Sequence, residues 1–137
     1  MDPGVKIARV LKRHKDVQMA YLFGSVAAGR EGTLSDVDIA VYLDESLLRE
    51  ERFRLQLHLI SELTGALKND RIDLVIMNDA SLSLNYEIVK ANHLLFARDR
   101  DLKVDIEHRI LSRYLDRRYY EKRSAEEFLK KVAQRGA

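Results

Sequence analysis

The run Asp36-Val37-Asp38-Ile39-Ala40-Val41-Tyr42-Leu43 constrains the fold more than any other part of the chain. In an extended strand, successive side chains point to opposite faces. Val37, Ile39, Val41 and Leu43 then share one face, and Asp36, Asp38, Ala40 and Tyr42 share the other. The apolar set needs a packed layer against it. The other set puts two carboxylates side by side within a strand, where acidic residues are poor formers. Such a pair repels itself unless the face is open to solvent or a cation relieves the repulsion.

The remaining elements follow from periodicity. Residues from about Val5 to Lys15 read as a helix, with Val5, Ala8 and Leu11 or Lys12 on related faces. The short run Met19 to Phe23, closed by Gly24-Ser25, reads as a strand. Residues 25–29 fit one helical turn, and Gly29, Gly32 and Thr33 mark a loop. Ser46 is the expected N-cap of a long helix to about Lys68, with Phe53, Leu57, Ile60, Leu63 and Leu67 as its core stripe. Asn69-Asp70 turns the chain into a strand from Ile72 to Met77, where Asp73, Val75 and Met77 share a face. Asp79 or Ser81 caps a helix through about Asn92, and Leu94 to Ala97 forms a short strand. From about Leu102 to Ala133 the pattern is helical, with Ile106, Ile110, Tyr114, Phe128 and Val132 as apolar anchors and a break near Arg123-Ser124 left open. This order predicts an α/β (α+β) fold: a mixed sheet with helices on one side and a helical tail.

At 137 residues, one domain with one core is expected. There is no cysteine, which excludes disulfides, thiolate metal sites and Cys nucleophiles. The four histidines, His14, His58, His93 and His108, show no ligand spacing such as HExxH and read as surface or helix-flank residues. Any metal should therefore be hard and oxygen-bound, Mg²⁺ or Mn²⁺. The N-terminal run lacks the uninterrupted apolar stretch of a signal peptide, and no segment reaches the length of a membrane span, so a cytoplasmic location is expected. A formal charge of +2 is no argument for nucleic-acid binding.

The chemistry concentrates in GSVAAGREGTLSDVDIAVYL, residues 24–43. Gly24 lets a phosphate approach the backbone, the N–H groups of a following turn point at it, and the Ser25 hydroxyl adds a donor. Asp36 and Asp38 lie on one strand face. If the strand of Asp73 lies beside theirs, roughly 4.8 Å away, three carboxylates converge. They then suffice for two divalent ions about 3.5–4 Å apart, the arrangement for in-line displacement at phosphorus.

Gly24-Ser25, ten intervening residues, Asp36-x-Asp38 and a later strand carrying Asp73 together resemble the nucleotidyltransferase superfamily of DNA polymerase β. The length and the run LFGS…G…SDVDIAVYL are similar, more narrowly, to the minimal nucleotidyltransferases (MNT) paired with HEPN toxins. The resemblance covers roughly residues 5–100. It implies a polymerase β-type fold, a mixed sheet flanked by helices, with residues 1–100 as the nucleotidyltransferase core and 101–137 as a C-terminal helical extension packed on the same domain. It implies Mg²⁺, two ions, and ATP as nucleotide donor. By position, Asp36, Asp38 and Asp73 take the catalytic and metal roles, and Gly24 and Ser25 the phosphate role. Arg30, in the intervening loop, falls within reach of phosphate, although a solvated arginine is the plainer reading.

Members paired with a HEPN toxin resemble antitoxins that transfer AMP to a tyrosine of that toxin. The chain has no room for the acceptor-binding domain of the longer small-molecule and tRNA-extending members, so the expectation is that its acceptor comes on a partner or that the catalytic domain pairs with another subunit. Arg109, Arg113 and Arg117 recur at helical spacing among Tyr114, Tyr119 and Tyr120. A solvated face with Tyr114 turned inward is the simpler reading, and a surface for a partner protein or RNA the functional one. A binding-only antitoxin, and a stand-alone transferase acting on a small molecule or an RNA end, remain open alternatives, as does an oligomeric state.

Overall fold

The computed structural model describes residues 2–24 and 36–135. The elements in order are α1 (Pro3–Lys12), β1 (Val17–Phe23), β2 (Val37–Leu43), α2 (Arg49–Leu67), β3 (Ile72–Ile76), α3 (Leu82–Ala91), β4 (Leu94–Ala97) and α4 (Arg100–Arg135). The helical turn expected at 25–29 lies outside the described residues.

The four strands form one sheet in the order β3-β2-β1-β4. β1 is central and antiparallel to both β2 and β4, whereas β2 and β3 run parallel, joined through α2. A parallel pair needs a crossover, and the 19-residue α2 supplies it. The sheet is therefore mixed, as expected. A register shift between Val17 and Met19 puts Val17 and Ala20 on the same side despite their odd spacing.

Helices cover both faces, which corrects the expectation of helices on one side. On one face, Val37, Ile39, Val41 and Leu43 pack with Ile7, Val10 and Leu11 of α1 and Leu59 and Leu63 of α2. On the other, Met19, Tyr21, Ala40, Tyr42 and Met77 pack with Ile88 and Val89 of α3 and Ile106 and Ile110 of α4. The reason is in the strands themselves. Beyond Asp38, β2 is apolar on both sides, and so is β1, so each face needs its own cover.

Local signals set the element ends. The Asp2 carboxylate accepts from Gly4 N–H at 3.2 Å, and Pro3 opens α1 two residues before the expected Val5. α1 stops at Lys12, short of Lys15. There the Arg98 guanidinium donates to the carbonyls of Lys12 (2.7 Å), His14 (2.9 Å) and Val17 (2.7 Å), taking up acceptors that a helix end leaves free. α2 begins at Arg49, with Leu48 at the N-cap and its N–H bonded to Glu51 at 2.9 Å. The expected cap, Ser46, instead donates its N–H to Asp44 Oδ1 in the preceding turn. Ser81 caps α3 as expected, its Oγ accepting from Leu84 N–H at 3.2 Å.

The expected stripe of α2 is rotated. Leu59 and Leu63 are fully buried, Ile60 and Leu67 pack partly, and Phe53 and Leu57 are 59% and 54% exposed. Two polar side chains fix the rotation. Gln56 donates to the Leu74 carbonyl of β3 at 2.8 Å, and Arg52 to the Leu47 carbonyl at 2.8 Å and to Asp79. Positions 52, 56, 59 and 63 thus form the inner row.

α4 runs unbroken for 36 residues. Asp99 Oδ1 accepts from the N–H groups of Asp101 and Leu102 at its start. At Arg123-Ser124, where a break was left open, Arg123 reaches back to the Tyr119 hydroxyl and forward to Glu127 along the same helix. Only its first third is embedded. Ile106 and Ile110 are buried, Tyr114 stacks on Tyr86 with ring centroids 3.7 Å apart, and Phe128 and Val132 are 66% and 50% exposed. Phe128 and Val132 are therefore not core anchors, because no described element of the chain reaches the outer half of the helix.

Candidate active site

The site forms where the end of β1 meets the start of β2 and β3. In the parallel pairing, Asp38 stands directly opposite Asp73. Both belong to the sheet face that carries Ala40, Tyr42 and Met77. Neighbouring strands hold opposed residues about 4.8 Å apart. Asp36 is exposed and lies one residue before β2.

Electrostatics tie the three acids together. The Asp38 carboxyl is held above its ordinary range, first by partial burial and then by the like charges of Asp73 and Asp36. The repulsion expected from the sequence is therefore present in the fold and centred on Asp38. Three carboxylates at one end of the sheet suit a hard divalent cation, whose charge would relieve that repulsion.

β1 delivers the other half. Its last residue, Phe23, pairs with Asp38, and Gly24 follows with φ +76°. A Cβ at Gly24 would overlap the Asp38 carboxylate, with Asp38 Cγ only 3.0 Å away. Glycine is needed here twice over, for the positive φ and for the close approach. The room a side chain would take is filled by the Asp38 carboxylate, so glycine lets the end of β1 and this acid close together.

The structure thus brings Gly24, Asp36, Asp38 and Asp73 to one end of the sheet. Ser25 and Arg30 lie outside the described residues.

The expected arginine stripe of α4 divides. Arg117 turns to α3, donating to Ser83 Oγ at 2.6 Å and pairing with Glu121 at 3.5 Å. Arg109 and Arg113 line a cavity of about 370 Å³ with Tyr42, Met77 and Asn85. Tyr42 and Met77 lie four residues beyond Asp38 and Asp73 on the same face, so the cavity continues the acid end of the sheet at about 13 Å. Asn85 donates to the Met77 carbonyl at 3.0 Å, and its buried Oδ1 has no partner among the described residues. The sequence reading missed this cavity, because its walls come from four separate elements. The alternation that put Tyr42 on the acid face was the available signal.

Among the described residues, no helix is long and apolar enough to cross a membrane. Protein adenylyltransferase MntA of Shewanella oneidensis is 33% identical over 97 residues, which is 70% of this chain and 66% of that protein. A solved toxin–antitoxin structure with AMP-PNP is 26% identical, with a TM-score of 0.71 over 92% of this chain and 98% of that one. The fold is also that of a structure of the tri-AMPylated Shewanella oneidensis HEPN toxin in complex with MNT antitoxin. There the identity is 24%, the TM-score 0.66, and the coverage 93% of this chain and 96% of that one. The family model "Polymerase beta, Nucleotidyltransferase" matches residues 5–101, the stretch that contains every acid of the site. By that match the chain belongs to the polymerase β nucleotidyltransferase family.

Proposed function

We propose that this chain is an antitoxin that transfers AMP from ATP to a tyrosine hydroxyl of a partner HEPN-type toxin. The observation that carries the reading is the pairing of Asp38 with Asp73, with the Asp38 carboxylate packed against Gly24 at the end of β1. Its direction comes from the likeness to the MntA adenylyltransferase and to the toxin–antitoxin structure with AMP-PNP.

In this reading Asp36, Asp38 and Asp73 would hold Mg²⁺, as two ions, and Gly24, Ser25 and Arg30 would serve the triphosphate. Bound there, the metal would neutralise charge on the triphosphate and on the leaving group. The acceptor oxygen attacks the α-phosphorus, the bond to the β-phosphate oxygen breaks, and pyrophosphate leaves. The hydroxyl proton passes to a carboxylate of the site, for which Asp73, the most exposed strand acid, is the candidate. Residues 1–100 form the catalytic core, and 101–137 a helical extension seated through Ile106 and Ile110. The outer half of α4 is left to meet the partner. The proposed location is the cytoplasm, where ATP is supplied.

The test is to co-express the chain with the protein encoded beside it and to record the partner's intact mass with Mg²⁺ and ATP. We expect a gain of one or more AMP units, absent when Asp36→Asn and Asp38→Asn are combined, with the complex still formed. No gain, with the partner still bound and silenced, would replace catalysis with docking alone. Turnover on RNA ends or small molecules without the partner would replace the acceptor class.

A further inference from the structure

A second group of ligating side chains lies on the sheet face opposite the acids. His58 and Glu62 are one turn apart on α2, and His14 reaches them from the turn between α1 and β1. His14 Nε2 is 3.1 Å from one Glu62 oxygen, and His58 Nε2 is 2.7 Å from the other. One ligand atom from each residue lies within 4.8 Å of the others. The two imidazoles meet edge to face, with centroids 5.4 Å apart and an interplanar angle of 78°. Each directs its Nε2 at the Glu62 carboxylate, and the rings do not stack.

We propose that His14, His58 and Glu62 bind Zn²⁺ as a clasp between α2 and the α1–β1 turn. Zinc takes imidazole nitrogen and carboxylate oxygen at about 2.0–2.2 Å in a tetrahedron, whose ligand atoms stand about 3.3 Å apart. Both nitrogen–oxygen separations, 3.1 and 2.7 Å, lie somewhat below that value and the whole set lies within 4.8 Å, so closing on an ion calls for side-chain adjustment. Two nitrogens and one carboxylate favour a borderline ion over Mg²⁺, which prefers an all-oxygen shell. The fourth position falls to water, since His58 is 61% exposed. The frame beneath is fixed. His14 donates its N–H to the Leu11 carbonyl at 3.1 Å, and its own carbonyl accepts from Val17 N–H and Arg98. Leu11 packs in the same core as Leu59 and Leu63 of α2. Histidines 44 residues apart give no spacing motif, so only the packing of α1 on α2 reveals the set.

The full chain is stripped with EDTA and held in excess Mg²⁺, which occupies the carboxylates on the other face. Zn²⁺ alone is then added and unfolding followed by calorimetry. Well above the dissociation constant, we expect the Tm to rise by about 5–10 °C. We expect Co²⁺ to give the visible absorption of a tetrahedral site. His58→Gln and Glu62→Gln, both at accessible positions on a formed helix, should fold and lose both responses. No rise in the unaltered chain, or the same rise in both variants, would overturn the proposal. Neither response depends on nucleotide transfer.

Discussion

Asp38 is a residue whose ionised form the fold disfavours. Burial and two neighbouring carboxylates raise its pKa, so the folded state binds this proton more tightly than the unfolded chain does. The penalty begins as pH rises through the unfolded value, near 3.9, and is complete above the folded one. At neutral pH, Asp38→Asn should therefore stabilise the metal-free protein, by about 1 kcal/mol or less because the site is open to solvent. Calorimetry at pH 7 and again at pH 3 checks this, since the gain should vanish where the carboxyl is protonated in both states. Added Mg²⁺ should stabilise the unaltered chain and do much less for the variant. A variant less stable than its parent at pH 7 would contradict this account. The two-residue period of β2 made the shared face of Asp36 and Asp38 legible in the sequence. The pairing with Asp73 was legible only as a condition, because strand order is decided by α2 packing and not by anything local to either strand.

At the scale of elements, α2 separates what periodicity reveals from what it hides. Leu55, Leu57 and Leu59 alternate with polar residues, which spreads leucine around the helix and leaves two rows eligible for the core. Arg52 and Gln56 decide between them by bonding to Asp79 and to the Leu74 carbonyl. Leu63→Ala should cost about 2–5 kcal/mol as a cavity in the core. Phe53→Ser, one of the residues the simpler stripe would bury, should shift stability by no more than about 0.5 kcal/mol. Denaturant titration of the two variants distinguishes the rows, and reversed magnitudes would restore the simpler stripe. The strands were easier to read. β2 and β4 match their expected spans within a residue, since glycine, asparagine and aspartate punctuate short apolar runs.

Taken whole, the molecule is a sheet with two covers and one long arm. The pattern of β1 and β2 already called for a second cover. A helix count alone, without strand order, could not assign α3 and α4 to it. α4 is buried over its first turns and exposed beyond Tyr114, so deleting residues 119–137 should change the stability of the core by less than about 1 kcal/mol. The same deletion should weaken capture of the partner, as read by co-purification, and a large loss of Tm would mean that the arm is part of the core after all. The opposition of Asp38 and Asp73 has a further meaning at this scale. Their separation is a lattice constant of hydrogen-bonded backbone, the same in any sheet, and no loop or surface residue is needed to maintain it. The fold thereby works as a gauge block: the spacing on which phosphorus chemistry depends is machined into the strands, while the surfaces that choose an acceptor can drift without recalibrating it.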